Sequence, residues 1–344
     1  MNIFQNKNKN ILIINLMGIG NNILMISALN NFYNKNYTID ILHNQNVFYN
    51  SKYFKNFFEN YYFYNNSKKF SRIYYRILLI FKFIFKKYDI ILDLNFNSNN
   101  VYHNIFIYLL NSKIKIGINK NKIYKKIFDF NIYEEFKYNS EYTLYSNIFY
   151  KYLKYKKLEE KNKYKIPGKK YICIHPGSSN NLKFKRIPYL YYVKIINYIY
   201  EFYNLKVYVL GGKEDLDIIN KITKEISANK YINLCNKTNF NKLVEILNNT
   251  KLFISGDSGL MHLAAYCKVE NQISIFGPTS HVKNSPIYNT NQTIIFNGPC
   301  KSNLNVICNE CNVQINKGLL NLPKCLNNIK LETIFEQISK SLNK

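Results

Sequence analysis

Two loops of the chain combine a tight turn with groups that could hold a phosphate. In residues 255–279 (SGDSGLMHLAAYCKVENQISIFGPT) an apolar run ends at Ser255. Gly256-Asp257-Ser258-Gly259 then makes a turn, and a helical pattern opens near Leu260. The free N–H groups and positive dipole end of a helix attract an anion. Asp257 and Ser258 are also ordinary helix caps, so this turn alone is a weak signal. In residues 177–185 (GSSNNLKFK), Gly177 lets the backbone approach a ligand, Ser178 and Ser179 offer hydroxyls, and Lys185 offers a compact cation with Lys183 as its competitor. A departing diphosphate needs such donors, because negative charge builds on it as its bond breaks. The plain alternative is a solvated basic loop. Glu214 follows the Gly211-Gly212 turn, where a carboxylate can accept hydrogen bonds from ribose hydroxyls. His262 either packs its helix or faces the Asp257 turn. His175, which ends an apolar run, is placed to orient the loop that follows it rather than to react.

A third turn lies early in the chain, where Gly18, Gly20 and Asn21 follow the apolar run 11–16. The glycines half-match a dinucleotide fingerprint. The third glycine position is Ile23, however, and the only acidic residue near a suitable strand end is Asp40, which argues against a nicotinamide enzyme. Cys300, Cys308, Cys311 and Cys325 are spaced C-x7-C-x2-C-x13-C. The central pair suits a four-thiolate zinc site, but the first gap is long for one, and reduced packing or redox-labile thiols are the favoured reading. Cys173, Cys235 and Cys267 sit in apolar runs and read as packing residues. No catalytic metal and no organic cofactor are expected.

Together with their flanks, these segments resemble a known family. The run D-S-G-x-M-H-L-A-A followed by F-G-P-T is similar to the signature of glycosyltransferase family 9, the heptosyltransferase-like family. Residues 11–29 (ILIINLMGIGNNILMISAL) resemble its first strand, glycine turn and helix, and residues 88–97 (YDIILDLNFN) its D-x-x-x-D-L strand. Residues 174–188 (IHPGSSNNLKFKRIP) resemble its H-P-G-x-S…K-R-W-P segment, with Ile187 in place of the tryptophan, and residues 209–214 (VLGGKE) its G-G-x-E turn. The blocks keep their order across most of the chain.

The resemblance implies a GT-B architecture, an inverting mechanism without a metal, and a nucleotide-diphosphate sugar of the ADP-heptose kind as donor. It implies an anionic glycolipid or oligosaccharide acceptor, such as a lipopolysaccharide core. By position it assigns the phosphates to Ser178, Ser179 and Lys185 and the ribose to Glu214. Further donor contacts fall to Gly177, Asp257, Ser258, Gly259, Met261 and His262, and the acceptor to the turn of Gly18, Gly20 and Asn21. An inverting transfer also needs a group that takes the proton of the acceptor hydroxyl. The family's usual base is an Asp directly after the glycine equivalent to Gly20. Here that residue is Asn21, whose amide cannot take a proton at neutral pH. Three readings stand: Asn21 positions the acceptor while Asp93, at a strand end, is the base; an acceptor phosphate or water serves instead; or the chain binds a sugar nucleotide without turning it over.

The elements that must carry these loops form two successive arrays of alternating strand and helix. In the first, residues 11–16, 38–42, 89–94 and 113–118 read as strands and 23–33 as a helix. In the second, 171–174, 206–210, 231–234, 251–255 and 272–276 read as strands, with helices over 189–202, 239–248 and 259–267. Buried parallel strands read as unbroken apolar runs, and strands alternating with helices give a parallel sheet. The expected fold is therefore α/β, with two Rossmann-like doubly wound domains facing a central cleft. Residues 1–160 would take the acceptor and 161–330 the nucleotide sugar, with the helix 331–342 crossing back to the first domain.

The net charge of +27 fits an anionic partner, although codon bias toward Lys, Asn, Ile and Tyr explains much of it. Residues 67–87 (SKKFSRIYYRILLIFKFIFKK) interleave Lys and Arg with apolar residues at helical spacing, which suits either a sheet-covering helix or a peripheral membrane surface. No RNA-binding fingerprint accompanies the charge, so nucleic acid is not an expected partner. No apolar run approaches the roughly 20 residues that span a bilayer. The six-residue run 11–16 is too short for a secretory signal, so a cytoplasmic protein, peripheral at the inner membrane, is expected.

Overall fold

A computed structural model describes residues 9–30, 37–64, 69–95, 100–119, 121–153, 170–287, 291–296 and 323–343. The chain divides into two compact units, residues 1–160 and 161–344. Each is built on one six-stranded sheet in which every strand pair is parallel.

The first unit runs β1 (Lys9–Asn15), α1 (Ile19–Asn30), β2 (Tyr37–His43), α2 (Asn46–Tyr49), β3 (Asn60–Phe63), α3 (Lys69–Ile84), β4 (Lys87–Asp93), α4 (Val101–Leu109), β5 (Asn111–Gly117), β6 (Phe130–Asn131), α5 (Tyr133–Tyr138) and α6 (Glu141–Leu153). Its strand order is β3-β2-β1-β4-β5-β6. The second runs β7 (Tyr171–His175), α7 (Tyr189–Tyr203), β8 (Val207–Val209), α8 (Leu216–Lys224), β9 (Tyr231–Asn233), α9 (Phe240–Asn248), β10 (Thr250–Gly256), α10 (Gly259–Tyr266), β11 (Asn271–Phe276), α11 (His281–Asn284) and β12 (Gln292–Phe296), then helices Lys324–Asn327 and Leu331–Leu342. Its order, β12-β11-β10-β7-β8-β9, is the same arrangement. In both units the first strand is central and the order reverses beside it, which opens a crevice at the carboxyl ends of β1 and β4 and of β7 and β10. The fold is α/β with two Rossmann-like domains.

The central strands form where the sequence is apolar residue after residue. Ile11, Leu12, Ile13 and Ile14 are all fully buried, as are Leu252, Phe253 and Ile254 in β10. A strand covered by helices on both faces needs this pattern. Three strands escape that signal: β3, β6 and β12 are sheet edges, and each is half-solvated rather than continuously apolar.

The helix Leu331–Leu342 does not follow the expectation that it crosses back to the first domain. Ile334 and Ile338 are buried in the core of the second unit with Ile195, Ile199 and Ile273, and Phe335 stacks on Tyr198 of α7 at 4.2 Å between ring centres. Its apolar stripe has an uncovered face of its own sheet to bury against, so it stays there.

In α3, Leu79 and Phe83 enter the core of the first unit, while Phe81 is 66% exposed and Phe85, just beyond the helix, 85%. The segment thus covers its sheet and also presents an apolar outer face. Among the described residues, no helix is long and apolar enough to cross a membrane.

Candidate active site

In the second unit the loop after β7 and the turn after β10 leave neighbouring strands at the point where strand order reverses. Two contacts join them. Lys185 Nζ lies 3.3 Å from Asp257 Oδ2, and His175 Nδ1 lies 3.0 Å from Ser258 Oγ. The serine–lysine loop and the helix start, read separately from the sequence, are one structure.

Ser258 caps α10, its hydroxyl accepting from the Met261 N–H. Helix geometry leaves the N–H groups of Gly259 and Leu260 without intrahelical partners, and both residues are half-buried rather than sealed. Lys185 is the cation beside this positive helix end, with its side chain 11% exposed. Burial pushes the Asp257 carboxyl up, but Lys185, His262 and Thr279 together outweigh that and hold it below the usual carboxylate range. Asp257 thus holds Lys185 in place at the helix start.

His262 is 7% exposed. Burial pushes its imidazole down to about 4, against the pull of Asp257, so the ring is neutral near pH 7. Its Nδ1 is a buried atom without a hydrogen-bond partner among the described residues, a position that a ligand oxygen or hydroxyl would satisfy. The Met261 side chain is wholly buried and packs the interior.

Arg186, quoted in the sequence motif but given no role there, is the hub of the site. Its NH1 donates to both oxygens of Asp217 at 2.9 and 3.1 Å. Its NH2 donates to Asp215 Oδ1 at 3.1 Å and to the carbonyls of Ser178 and Glu214 at 3.1 and 2.9 Å. Asp215 in turn faces His175 Nε2 at 3.3 Å and accepts the Gly212 N–H at 2.9 Å. Burial raises the Asp215 carboxyl; His175, Gly212 and Arg186 together outweigh it and leave it low. With Nε2–H directed at Asp215, Nδ1 of His175 is left to accept the Ser258 hydroxyl. One chain of hydrogen bonds therefore ties α8, the β8 turn, the β7 loop and the start of α10.

This network revises two loop assignments. A Cβ on Gly177 would lie 2.0 Å from Asp215 Oδ1, so the glycine is required by a fixed carboxylate rather than by an incoming ligand. Ser178 is buried, donating to the Leu182 carbonyl at 3.1 Å and accepting from Arg186 Nε at 3.3 Å. It shapes the loop, and Ser179, which is exposed, is the hydroxyl left to offer. Glu214 is also exposed and lines an open depression with Lys183, Gly212, Lys213 and Asp217. Lys183 pairs with Asp217 at 3.1 Å, so it is not the lysine of the helix start. Ile187 is buried in the core.

In the first unit the turn after β1 is fixed through its carbonyls. Asn22 Nδ2 donates to the carbonyls of Met17 and Gly18 at 3.0 Å each, and Asn44 Nδ2 to that of Leu16 at 2.6 Å. Gly18 is exposed, and a Cβ there would make only ordinary contact with Asn21 Oδ1 at 3.7 Å. The Asn21 amide donates to Glu141 Oε2, at the first residue of α6.

Asp93 is held from both of its oxygens. It is 1% exposed, Oδ1 accepts from Asn95 Nδ2 at 2.6 Å, and Oδ2 meets His103 Nε2 at 2.8 Å. Asn95, held by it, accepts the Leu16 N–H at 2.8 Å and donates to the Ile14 carbonyl, which sets the exit of β1.

Cys173, Cys235 and Cys267 are buried. Cys325 is fully buried in the core of the second unit, and Cys300, Cys308 and Cys311 lie outside the described residues.

The model of the family described as Glycosyltransferase family 9 (heptosyltransferase) matches residues 80–313. Lipooligosaccharide heptosyltransferase 2 of Campylobacter jejuni subsp. jejuni serotype O:2 is 30% identical over 259 residues, 73% of this chain and 75% of that protein. Among solved structures, the chain is similar to a glycosyl transferase family 9 protein from Veillonella parvula, with a TM-score of 0.75, 16% identity and 99% of both chains covered. It is also similar to the E. coli ADP-heptose lps heptosyltransferase II, with a TM-score of 0.72, 15% identity and 97% and 98% of the two chains covered. These two likenesses are of fold.

Proposed function

Since the chain belongs to glycosyltransferase family 9 and is a glycosyltransferase, we propose that it moves a heptose or related sugar from an ADP-heptose-like donor to a lipooligosaccharide core or similar anionic glycan. Transfer inverts the anomeric carbon and uses no catalytic metal. The observation that carries this reading is the junction of the β7 loop with the α10 start: Lys185, 3.3 Å from Asp257, beside two open helix N–H groups and a neutral His262. Positive charge and fixed donors there meet the charge that develops on a departing diphosphate. Ser179 adds a hydroxyl, and Glu214 suits the ribose. The acceptor belongs at Gly18 and at Gly20 and Asn21, which lie in the first turn of α1 and not in the loop before it.

A melting-temperature screen against ADP-, GDP- and UDP-sugars tests the donor. ADP-heptose at about a hundredfold excess over its Kd should stabilise the chain by about 2.7 kcal/mol, or roughly 5–10 °C. Equal shifts with all three classes, or none, would remove the assignment.

A lipid-linked acceptor would hold the enzyme at the cytoplasmic face of the inner membrane. The outer faces of α3 and α4, which pack side by side, support this: Phe81, Phe85, Tyr102 and Tyr108 are all more than 60% exposed there. Such faces partition into headgroup regions. The wild-type chain should co-sediment with phosphatidylglycerol vesicles, and the double variant Phe81→Glu, Phe85→Glu should stay in the supernatant. Equal sedimentation of the two would rule out this face as the contact.

A further inference from the structure

On the transferase reading, the acceptor hydroxyl must give up a proton, and residue 21 is an amide. The described carboxylates of the first unit differ sharply in what they can offer. Asp93 is paired with Asn95 and His103. Asp40 and Asp89 lie away from the glycine turn, with Asn60 and with Asn10 and Lys113. Glu135 pairs with Lys151. Glu141 alone among these meets the turn, through the Asn21 amide.

Glu141 is 5% exposed. A carboxylate is expensive to bury, and this one is brought to the crevice end of β1 because α6 lies along α1. One helical turn further on, Tyr145 is fully buried; burial and then the Glu141 charge push its hydroxyl well above the ordinary range. Tyr145 therefore stays protonated and cannot itself serve as the base. A charge at the start of α6 would also favour that helix, a purely structural role that the test below separates.

We infer that Glu141 is the proton acceptor of the transfer reaction, held at the glycine turn by its hydrogen bond from Asn21. The inference rests on the transferase reading above. In the step, the acceptor oxygen bonds to the anomeric carbon of the donor while its proton passes to a carboxylate oxygen of Glu141. The bond from that carbon to the phosphate oxygen breaks, and its electron pair leaves with the nucleoside diphosphate. Glu141 then loses the proton to solvent. Asn21 is a positioning residue, because it acts through the carboxylate that it orients.

Glu141→Gln is the decisive variant, since glutamine keeps the shape and a hydrogen bond to Asn21 while losing the proton-accepting group. With ADP-heptose and purified lipooligosaccharide, kcat should fall by about 100-fold or more, within the 10²–10⁴ that general bases contribute. The donor KM should change by less than about threefold, and the melting temperature should hold. Adding Asn21→Asp to Glu141→Gln returns a carboxylate one hydrogen bond away and should recover at least about tenfold. Wild-type turnover in Glu141→Gln overturns the inference while leaving the transferase reading intact. So does a loss accompanied by lower stability or weaker donor binding and not recovered by Asn21→Asp, which is what a merely structural Glu141 would give. A wild-type chain that transfers nothing removes the transferase reading and this inference with it.

Discussion

Lys185→Ala should lower turnover by well over tenfold while the chain still folds. Lys185 is the cation that meets the α10 start, and it is held there by Asp257 at 3.3 Å. Its removal does more than delete a donor. The buried Asp257 carboxylate then faces the diphosphate uncompensated, so the local charge changes from balanced to negative. Losing one well-placed donor to a developing negative charge costs roughly 10²–10³ in kcat, and the unpaired carboxylate adds to that. Asp257→Asn in the Lys185→Ala background should therefore recover part of the loss, a coupling that a double-mutant cycle measures. Steady-state turnover of the four chains gives the answer. Unchanged turnover in Lys185→Ala would withdraw Lys185 from the site.

Asp215→Ala should be the most damaging change to stability. Its carboxylate is buried and is met by Arg186, His175 and the Gly212 N–H. Removing it leaves a buried guanidinium short of a partner and a backbone N–H without one. Breaking a buried ion pair from one side costs about 3–5 kcal/mol. Asp217→Ala is the control, because Asp217 also pairs with Arg186 but its side chain is 49% exposed. Exposed pairs contribute about 0–1 kcal/mol. Urea unfolding of the two variants should differ by at least about 2 kcal/mol. If they unfold alike, the buried network does not hold the loops as described. Asp215→Ala should also weaken donor binding, because Arg186 ties Ser178 and Glu214 to the same hub.

Much of this was legible in the primary structure, for identifiable reasons. A central parallel strand carries an unbroken apolar run or nearly so, and β1, β4, β7, β10 and β11 announce themselves by it, whereas the half-solvated edge strands β3, β6 and β12 do not. Each of the two candidate loops is written in consecutive residues, so Gly177 to Lys185 and Asp257 to Gly259 could be found without coordinates. The roles inside those turns were less legible. Ser178 and Gly177 read as ligand contacts, and nothing local told of Arg186 against the Ser178 hydroxyl or Asp215 against Gly177.

Local order along the chain was enough to determine the two βα arrays, their central strands and the turns that end them, because hydrophobic period and turn chemistry act between near neighbours. Pairing across the fold was decided only in three dimensions. Lys185 and Asp257 are 72 residues apart, His175 and Ser258 83, and Asn21 and Glu141 120. With 21 acidic residues in the chain, nothing in their local context says which will be buried beside which base, amide or imidazole. That choice follows from strand order and helix packing, which bring distant ends together, and from burial, which favours a partner for most polar groups so placed.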